Sequence, residues 1–196
     1  MKLKFSFCIL CITFILSGCS IFPSEEKEDT WTDSGYVAIG HCLTIKNSGS
    51  GLSLLENMDV LSADGLYYAA FTMGTPEPYE NSDGDTVDLY DAQLYLVLGE
   101  YSNSTNAQNN MDKWLTAAKD NYQVLSEEEI TCNGQPYSLI TYRFINETNP
   151  YDRGISAFGI NKNNAICIEL TCRENFENDL KTLMIDFLNH CTYNTD

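Results

Sequence analysis

The residues best suited to holding a metal ion are concentrated in segment 81–88, with the sequence NSDGDTVD. Aligning Gly84 with the invariant glycine of an EF-hand places oxygen-bearing side chains at ligand positions 3, 5 and 7. These side chains are Asn81, Asp83 and Asp85. Positions 1 and 12 need carboxylates, but they fall on Tyr79 and Tyr90. We therefore predict a loop without a metal site, and an irregular, weak Ca²⁺ site is the alternative.

The two histidines each precede a cysteine, as His41-Cys42 and His190-Cys191. A cysteine nucleophile needs a nearby base and a third group that orients the base, so the candidate pairs are Cys42 with His190 and Cys191 with His41. The second histidine falls in the last turn of a predicted helix, where a cation suits the dipole. No hydrolase elbow, zinc-protease motif or nucleotide-binding loop occurs. We expect neither enzymatic activity nor a cofactor, and an unrecognised hydrolase or thiol enzyme is the alternative.

Six tyrosines cluster in segments 66–73 and 90–101 and in the loop between them: Tyr67, Tyr68, Tyr79, Tyr90, Tyr95 and Tyr101. Core and cross-strand packing is the interpretation we favour. The alternative is an aromatic-lined groove beside the acidic loop, suited to a sugar, a peptide or a cationic ligand. Because functional residues favour long loops on rigid scaffolds, we predict a binding loop at 74–90. Its contact residues would be Tyr79, Asn81, Asp83, Asp85 and Tyr90.

Strands should present these side chains, because alternating apolar residues and turn signals run through most of the chain from Tyr36 onward. Segment 90–99 is apolar on both alternating sets, which predicts a central strand covered on both faces. The pair Asn133-Gly134 predicts a hairpin between 128–131 and 136–144. A second hairpin is expected between 155–160 and 165–172, and strands are also expected at 41–45, 52–58 and 66–73.

Two segments have the 3.6-residue period of amphipathic helices. The first is 106–122, with Ser104 or Asn106 as its cap. The second is 174–191, where Glu174, Glu177 and Asp179 would lie near the positive end of the helix dipole. Successive hairpins require antiparallel pairing. We therefore predict an α+β fold in which helices pack on both faces of one antiparallel sheet.

The element order resembles the PsbP/Mog1-like fold over about residues 36–191. The similarity lies in a Trp-bearing helix (MDKWLTAAKDNY), a hairpin (EEITCNGQPYSLITYRF), a strand (ICIELTC) and a closing helix that ends FLNHC. The resemblance implies an α/β/α sandwich and a non-enzymatic accessory or adaptor role. It carries over no functional residue, because no position of this sequence matches a diagnostic motif.

The first residues have the three parts of an export signal: Lys2 and Lys4, an apolar run over 5–16, and a small-residue end. That run is shorter than the roughly 20 residues that span a bilayer. Leu16-Ser17-Gly18-Cys19 resembles the bacterial lipoprotein lipobox. The resemblance implies cleavage before Cys19, diacylglyceryl attachment to it, and anchoring at the outer face of the cell membrane. A plain signal peptide is the alternative.

We thus expect a signal peptide over 1–18, an acidic tether over 19–35 and one α+β domain over 36–196. Removal of the signal would leave 9 of the 11 Lys and Arg against 28 Asp and Glu, which takes the net charge from −17 to −19. Such a charge disfavours nucleic acid and allows a protein or cationic partner. No oligomeric state is indicated.

Five cysteines would remain after cleavage and lipidation: Cys42, Cys132, Cys167, Cys172 and Cys191. The number is odd and no CxxC spacing occurs, which argues against a redox or zinc motif. We expect buried free thiols, and one long-range disulfide is the alternative. The spacing of Cys167 and Cys172 places them on opposite faces of a strand.

Overall fold

The computed structural model describes residues 35–60, 65–81, 84–145 and 149–194. Residues 1–34, which include Cys19 and nearly all of the predicted tether, lie outside the described residues, as does Asp83. The described part of the chain forms these strands: β1 (Tyr36–Ile39), β2 (Leu43–Lys46), β3 (Ser53–Val60), β4 (Leu66–Met73), β5 (Glu77–Glu80), β6 (Thr86–Leu89), β7 (Ala92–Glu100), β8 (Tyr122–Cys132), β9 (Gln135–Phe144), β10 (Arg153–Asn161), β11 (Asn164–Cys172) and β12 (Cys191–Tyr193). Its helices are α1 (Ser104–Asn121) and α2 (Leu180–Asn189).

Seven strands form the main sheet, in the order β3-β4-β7-β11-β10-β9-β8, and each neighbouring pair is antiparallel. β11 is the middle strand. A three-stranded sheet, β1-β2-β12, joins the start of the domain to the segment after α2. β5 and β6 form a separate two-stranded ribbon.

The predicted central strand and both predicted hairpins are confirmed. β7 lies between β4 and β11, inside the main sheet. β8 and β9 meet at Asn133 and Gly134, whose φ values of 50° and 77° are those of a tight hairpin turn. β10 and β11 pair over their whole length and turn at Lys162, which has a φ of 54°.

Two apolar layers cover the sheet. On one face, α2 and the small sheet pack against the largest core cluster, which includes Leu96, Ile168 and Met184. On the other face, α1 packs on a second cluster that includes Trp114 and Phe158. Cys172 belongs to the first cluster and Cys167 contacts the second, so the prediction that they lie on opposite faces is confirmed.

The first helix begins two residues earlier than its periodicity predicts. Asn103 is its N-cap, and its side-chain Oδ1 accepts a hydrogen bond from the backbone N–H of Asn106 at 2.9 Å. Neither Ser104 nor Asn106 is the cap, so that prediction is wrong. The helix also ends at Asn121, because Tyr122 already has extended backbone and starts β8.

The second helix is much shorter than the predicted 174–191. Arg153 donates to the backbone carbonyls of Glu174 at 3.2 Å and Phe176 at 2.8 Å, which holds this segment in a non-helical turn. Asp179 is the true N-cap, with its Oδ1 2.7 Å from the backbone N of Thr182. Glu174 therefore lies outside the helix. At the other end Cys191 belongs to β12, because it pairs with β2.

The segment predicted as a binding loop, 74–90, contains the β5–β6 ribbon, so the expectation of a loop there is wrong in part. The ribbon pairs Tyr79 with Val87 and Glu80 with Thr86. The strands and helices nevertheless confirm the α+β class with helices on both faces of one antiparallel sheet. Within the described ranges, neither helix has the length and apolar character needed to cross a membrane.

Candidate functional site

The predicted binding loop is a self-closed turn of the β5–β6 ribbon. The side-chain Oδ1 of Asn81 accepts from the backbone N–H of Asp85 at 2.8 Å, and its own backbone N–H donates to the Asp85 carbonyl at 2.9 Å. Tyr79 lies on β5 and Tyr90 follows β6, both partly exposed. The Asn81 amide oxygen is thus used within the turn. Across the described ranges, no group of three or more His, Cys, Asp or Glu side chains is arranged to hold a metal ion.

His41 and Cys42 both contact a carboxylate from β7, that of Glu100. The Nδ1 of His41 lies 2.9 Å from one oxygen of Glu100, and its backbone N–H donates to the other oxygen at 2.7 Å. The hydroxyl of Tyr67 is 3.0 Å from the same Nδ1. Gly40 permits this close approach, since a Cβ there would lie 2.7 Å from Glu100 Oε1. Although burial acts to raise the pKa of Glu100, the bonds from His41 lower it below its ordinary value.

The Cys42 thiol hydrogen-bonds the same carboxylate, and this arrangement opposes catalysis. Burial, followed by the charge and hydrogen bond of Glu100, raises the pKa of Cys42 to about 12. A nucleophilic cysteine needs a lowered pKa and a cationic neighbour. Here the carboxylate lies between the histidine and the thiol, so it stabilises the protonated thiol.

The five cysteines of the predicted mature domain are all free thiols. Cys132, Cys172 and Cys191 are buried, whereas Cys42 and Cys167 are partly exposed, so the expectation of buried free thiols holds for three of the five. Burial raises the pKa of Cys172 to about 11 and raises those of Cys132 and Cys191 as well. His190, the predicted base for Cys42, has its Nδ1 2.8 Å from the backbone carbonyl of Asp186.

The tyrosines of β4 and β7 divide between the two faces of the sheet. Tyr67 packs beside the α2-side cluster, next to His41. Tyr68 and Tyr95 point to the α1 face and stack with ring centroids 6.1 Å apart. Tyr101 contacts the α1-side cluster. The structure therefore does not gather the six tyrosines into one groove.

A charged residue, Glu169, lies on this α1 face in the middle strand β11. Its register partners are Ser156 on β10 and Tyr95 on β7. Residues directly opposite each other share a face, so all three side chains point to the α1 side. The remaining buried polar residues of this face form the next row: Thr72, Gln93 and Thr171. A carboxyl group in the centre of a sheet thus sits among hydroxyl and amide groups.

Two tyrosine hydroxyls hold the Glu169 carboxyl. Tyr142 donates to its Oε1, and Tyr122 forms a second hydrogen bond with the carboxyl. The rings of Tyr122 and Tyr142 stack with centroids 4.0 Å apart, and Phe144 packs edge-on against both. Burial raises the pKa of Glu169, while the two tyrosine bonds act in the opposite direction.

A glycine allows Tyr142 to reach across β10 to the carboxyl. Gly154 stands opposite Tyr142 in the β9–β10 register. A Cβ at Gly154 would lie 2.5 Å from Tyr142 Cζ, so no other residue leaves room for the ring. Glycine inside a strand often marks a close approach of this kind.

We call Glu169, Tyr95, Tyr122, Tyr142 and Ser156 the Glu169 cluster. α1 packs on β11, β10 and β8. Tyr142 and Ser156 are buried, whereas Glu169, Tyr95 and Tyr122 keep partial exposure. The cluster therefore has a buried polar floor and partly exposed aromatic walls.

Glu169 is not among the predicted site residues, although the sequence carries a signal for it. It is the one charged residue in the otherwise apolar or small run AICIELTC, and glutamate is rarely buried without a partner. Two glycines in the facing strand, Gly154 and Gly159, give a second signal. The partners could not be read from the sequence, because they come from β7, β8, β9 and β10.

No protein-family model matches the chain, and no curated protein does. Among solved structures the chain is similar to the solution structure of cyanobacterial PsbP (CyanoP) from Synechocystis sp. PCC 6803, with 14% identity and a TM-score of 0.39. That similarity covers 74% of this chain and 96% of the other. A crystal structure from Bacteroides thetaiotaomicron VPI-5482 is similar with 10% identity and a TM-score of 0.36, over 66% of this chain and 46% of the other. Both scores are too low to bear on function.

Proposed function

We propose that this chain is a bacterial lipoprotein with a PsbP/Mog1-like domain that acts outside the cytoplasm as a non-enzymatic binding module. The observation that carries the binding role is the Glu169 cluster, a partly exposed set of polar and aromatic groups around a carboxyl in the middle strand of the sheet. Pockets with few convergent polar groups and aromatic walls are typical of ligand sites.

The non-enzymatic part of the proposal draws support from the thiols. Four of the five free cysteines have a raised pKa, and Cys42, which follows His41, is bonded to Glu100. A protonated, desolvated thiol is a poor nucleophile. This disfavours the alternative of a thiol enzyme, while a hydrolase that uses carboxylates and a solute-binding protein remain alternatives.

The anchoring part rests on the Leu16-Ser17-Gly18-Cys19 motif. Two acyl chains on one residue anchor stably, because each buried methylene contributes about 0.8 kcal/mol. The acidic domain is then repelled from anionic headgroups, which leaves the α1 face free to meet a ligand.

Fractionation of cells that express Cys19→Ala tests the anchor. We expect the wild-type protein in the membrane fraction and the variant in the soluble exported fraction. Cys8→Ala, in the segment that cleavage would remove, is the matched control and should remain membrane-bound. If Cys19→Ala stays in the membrane fraction, the lipobox interpretation is wrong.

Photocrosslinking on intact cells tests the binding role. A photoreactive phenylalanine analogue is placed at position 95, in the Glu169 cluster, or at position 80, on the exposed β5 strand. We expect adducts, detected by mass spectrometry, at position 95 and not at position 80. Absence of adducts at position 95, or equal labelling at both positions, would contradict binding at this cluster.

A further inference from the structure

The Glu169 carboxyl lies between two stacked tyrosine pairs. Tyr95, its direct neighbour on β7, stacks on Tyr68, while Tyr142 and Tyr122 stack on its other side. Aromatic faces carry partial negative charge. The carboxyl and the ring faces therefore both present negative potential to a ligand that approaches from the α1 side.

The groups that act on the Glu169 carboxyl are all neutral. Two tyrosine hydroxyls bond it, and none of the interactions that act on it in the described part of the chain comes from a cationic side chain. A buried carboxylate without a compensating cation is costly to keep ionised. Charge complementarity thus points to a cation supplied from outside.

An organic cation fits better than a metal ion. Calcium needs six to eight oxygen ligands, whereas the described part of the chain contains no arrangement of three or more carboxylate, histidine or cysteine groups. A substituted ammonium group needs instead one or a few aromatic faces and a counter-charge. The Glu169 cluster supplies both.

We propose that the Glu169 cluster binds a small organic cation through a substituted ammonium group, held between the Tyr95 ring and the Glu169 carboxylate. This inference rests on the proposed binding function and names the ligand class for it. The net charge of −17 raises the local concentration of cations around the domain, which favours their capture.

The test is saturation-transfer NMR on the mature lipidated protein, which begins at Cys19, in a nonionic detergent. Tetramethylammonium and its neutral isostere tert-butanol are titrated in one sample, since each gives a single methyl signal. We expect saturable transfer to tetramethylammonium and at least about fivefold weaker transfer to tert-butanol. Glu169→Gln should weaken tetramethylammonium binding roughly tenfold or more. Glu80→Gln, the same charge change on exposed β5, should leave it unchanged.

Variants at Tyr95 test the aromatic wall. Tyr95→Phe keeps the ring and should retain binding, whereas Tyr95→Ala should weaken it severalfold. Near-UV circular dichroism establishes that each variant is folded. Equal transfer from both probes, or wild-type affinity in Glu169→Gln, would overturn the inference.

A neutral sugar probe separates failure of this inference from failure of the proposed function. Saturable transfer to glucose without transfer to tetramethylammonium would refute the cation while leaving a binding module. Transfer to neither probe also refutes the cation, and crosslinking at position 95 then decides independently whether the cluster binds anything.

Discussion

Replacing Gly154 by alanine should dislodge Tyr142 and disconnect it from Glu169. Gly154 has no left-handed backbone, so alanine is allowed by its φ and the effect comes from contact alone. The new Cβ would lie 2.5 Å from Tyr142 Cζ and 3.0 Å from the Leu170 carbonyl oxygen. Since ordinary contact begins at 3.4 Å, the ring has to retreat by about 1 Å.

Neighbouring rings leave Tyr142 little room for that movement. It is fully buried, stacked on Tyr122 at 4.0 Å and packed edge-on against Phe144 at 5.5 Å. Overpacking of this kind costs about 1–3 kcal/mol, and loss of the bond to the Glu169 carboxyl adds about 1.5–3 kcal/mol. The better strand propensity of alanine offsets about 0.5–1 kcal/mol of this loss in stability. We expect the free energy of unfolding to fall by about 2–5 kcal/mol.

Urea unfolding followed by circular dichroism measures this change, and a double-mutant cycle assigns it to the ring. A Tyr142→Ala background removes the two atoms closest to the new Cβ, the Tyr142 hydroxyl oxygen and Cζ, and leaves the Leu170 carbonyl oxygen at 3.0 Å. Gly154→Ala should then be nearly neutral. An equal loss of stability in both backgrounds would refute the steric explanation and indicate a backbone effect instead.

Three further perturbations follow from the titrating groups. Burial raises the folded pKa of Glu169 above 4.5, so the folded state holds the proton more tightly than the unfolded state. The free energy of unfolding should therefore fall as pH rises from 4.5 to the folded pKa, by at most about 1.4 kcal/mol per pH unit. Glu169→Gln should remove this slope in urea unfolding, and parallel pH profiles of the variant and the wild type would contradict it. Glu100→Gln should bring the pKa of Cys42 down from about 12, while burial keeps it above 9. The pH dependence of iodoacetamide alkylation of the Cys42 peptide measures this change. An unchanged profile would show that Glu100 has no influence on the thiol. Asp179→Ala removes the cap of α2 and should lower the free energy of unfolding by about 1 kcal/mol. Asp179→Asn still accepts the hydrogen bond from Thr182 and should lower it by only a few tenths of a kcal/mol. Equal losses in the two variants would mean that the hydrogen bond is not the cause.

Local patterns in the sequence determined much of this architecture. Asn133 and Gly134 adopt the positive φ values that a two-residue hairpin turn requires, and the next hairpin follows from turn residues at 161–164. Segment 90–99 is apolar on both alternating sets of residues, and it forms an inner strand because an apolar layer packs on each face of the sheet. These features depend on residues within a few positions of each other, which is the range over which periodicity and turn chemistry act. The lipidation of Cys19 is also a local prediction, and it stays a prediction.

Contacts between distant segments decided the rest. Arg153 donates hydrogen bonds to the backbone carbonyls of Glu174 and Phe176. These bonds shorten α2, although the helical period of the sequence continues through that segment. Cys191 leaves the helix because β2, nearly 150 residues earlier in the chain, pairs with it. Periodicity cannot reveal either effect.

The Glu169 cluster is the clearest case of a feature set by tertiary structure. In sequence Glu169 is one acid within an apolar strand, and its neighbours contribute no charge. Register places Tyr95 on one side of it and Ser156 on the other, and Gly154 lets Tyr142 reach it from two strands away. Sequence determines which face a side chain takes, since strand period is fixed, but pairing across the sheet decides which side chains meet there.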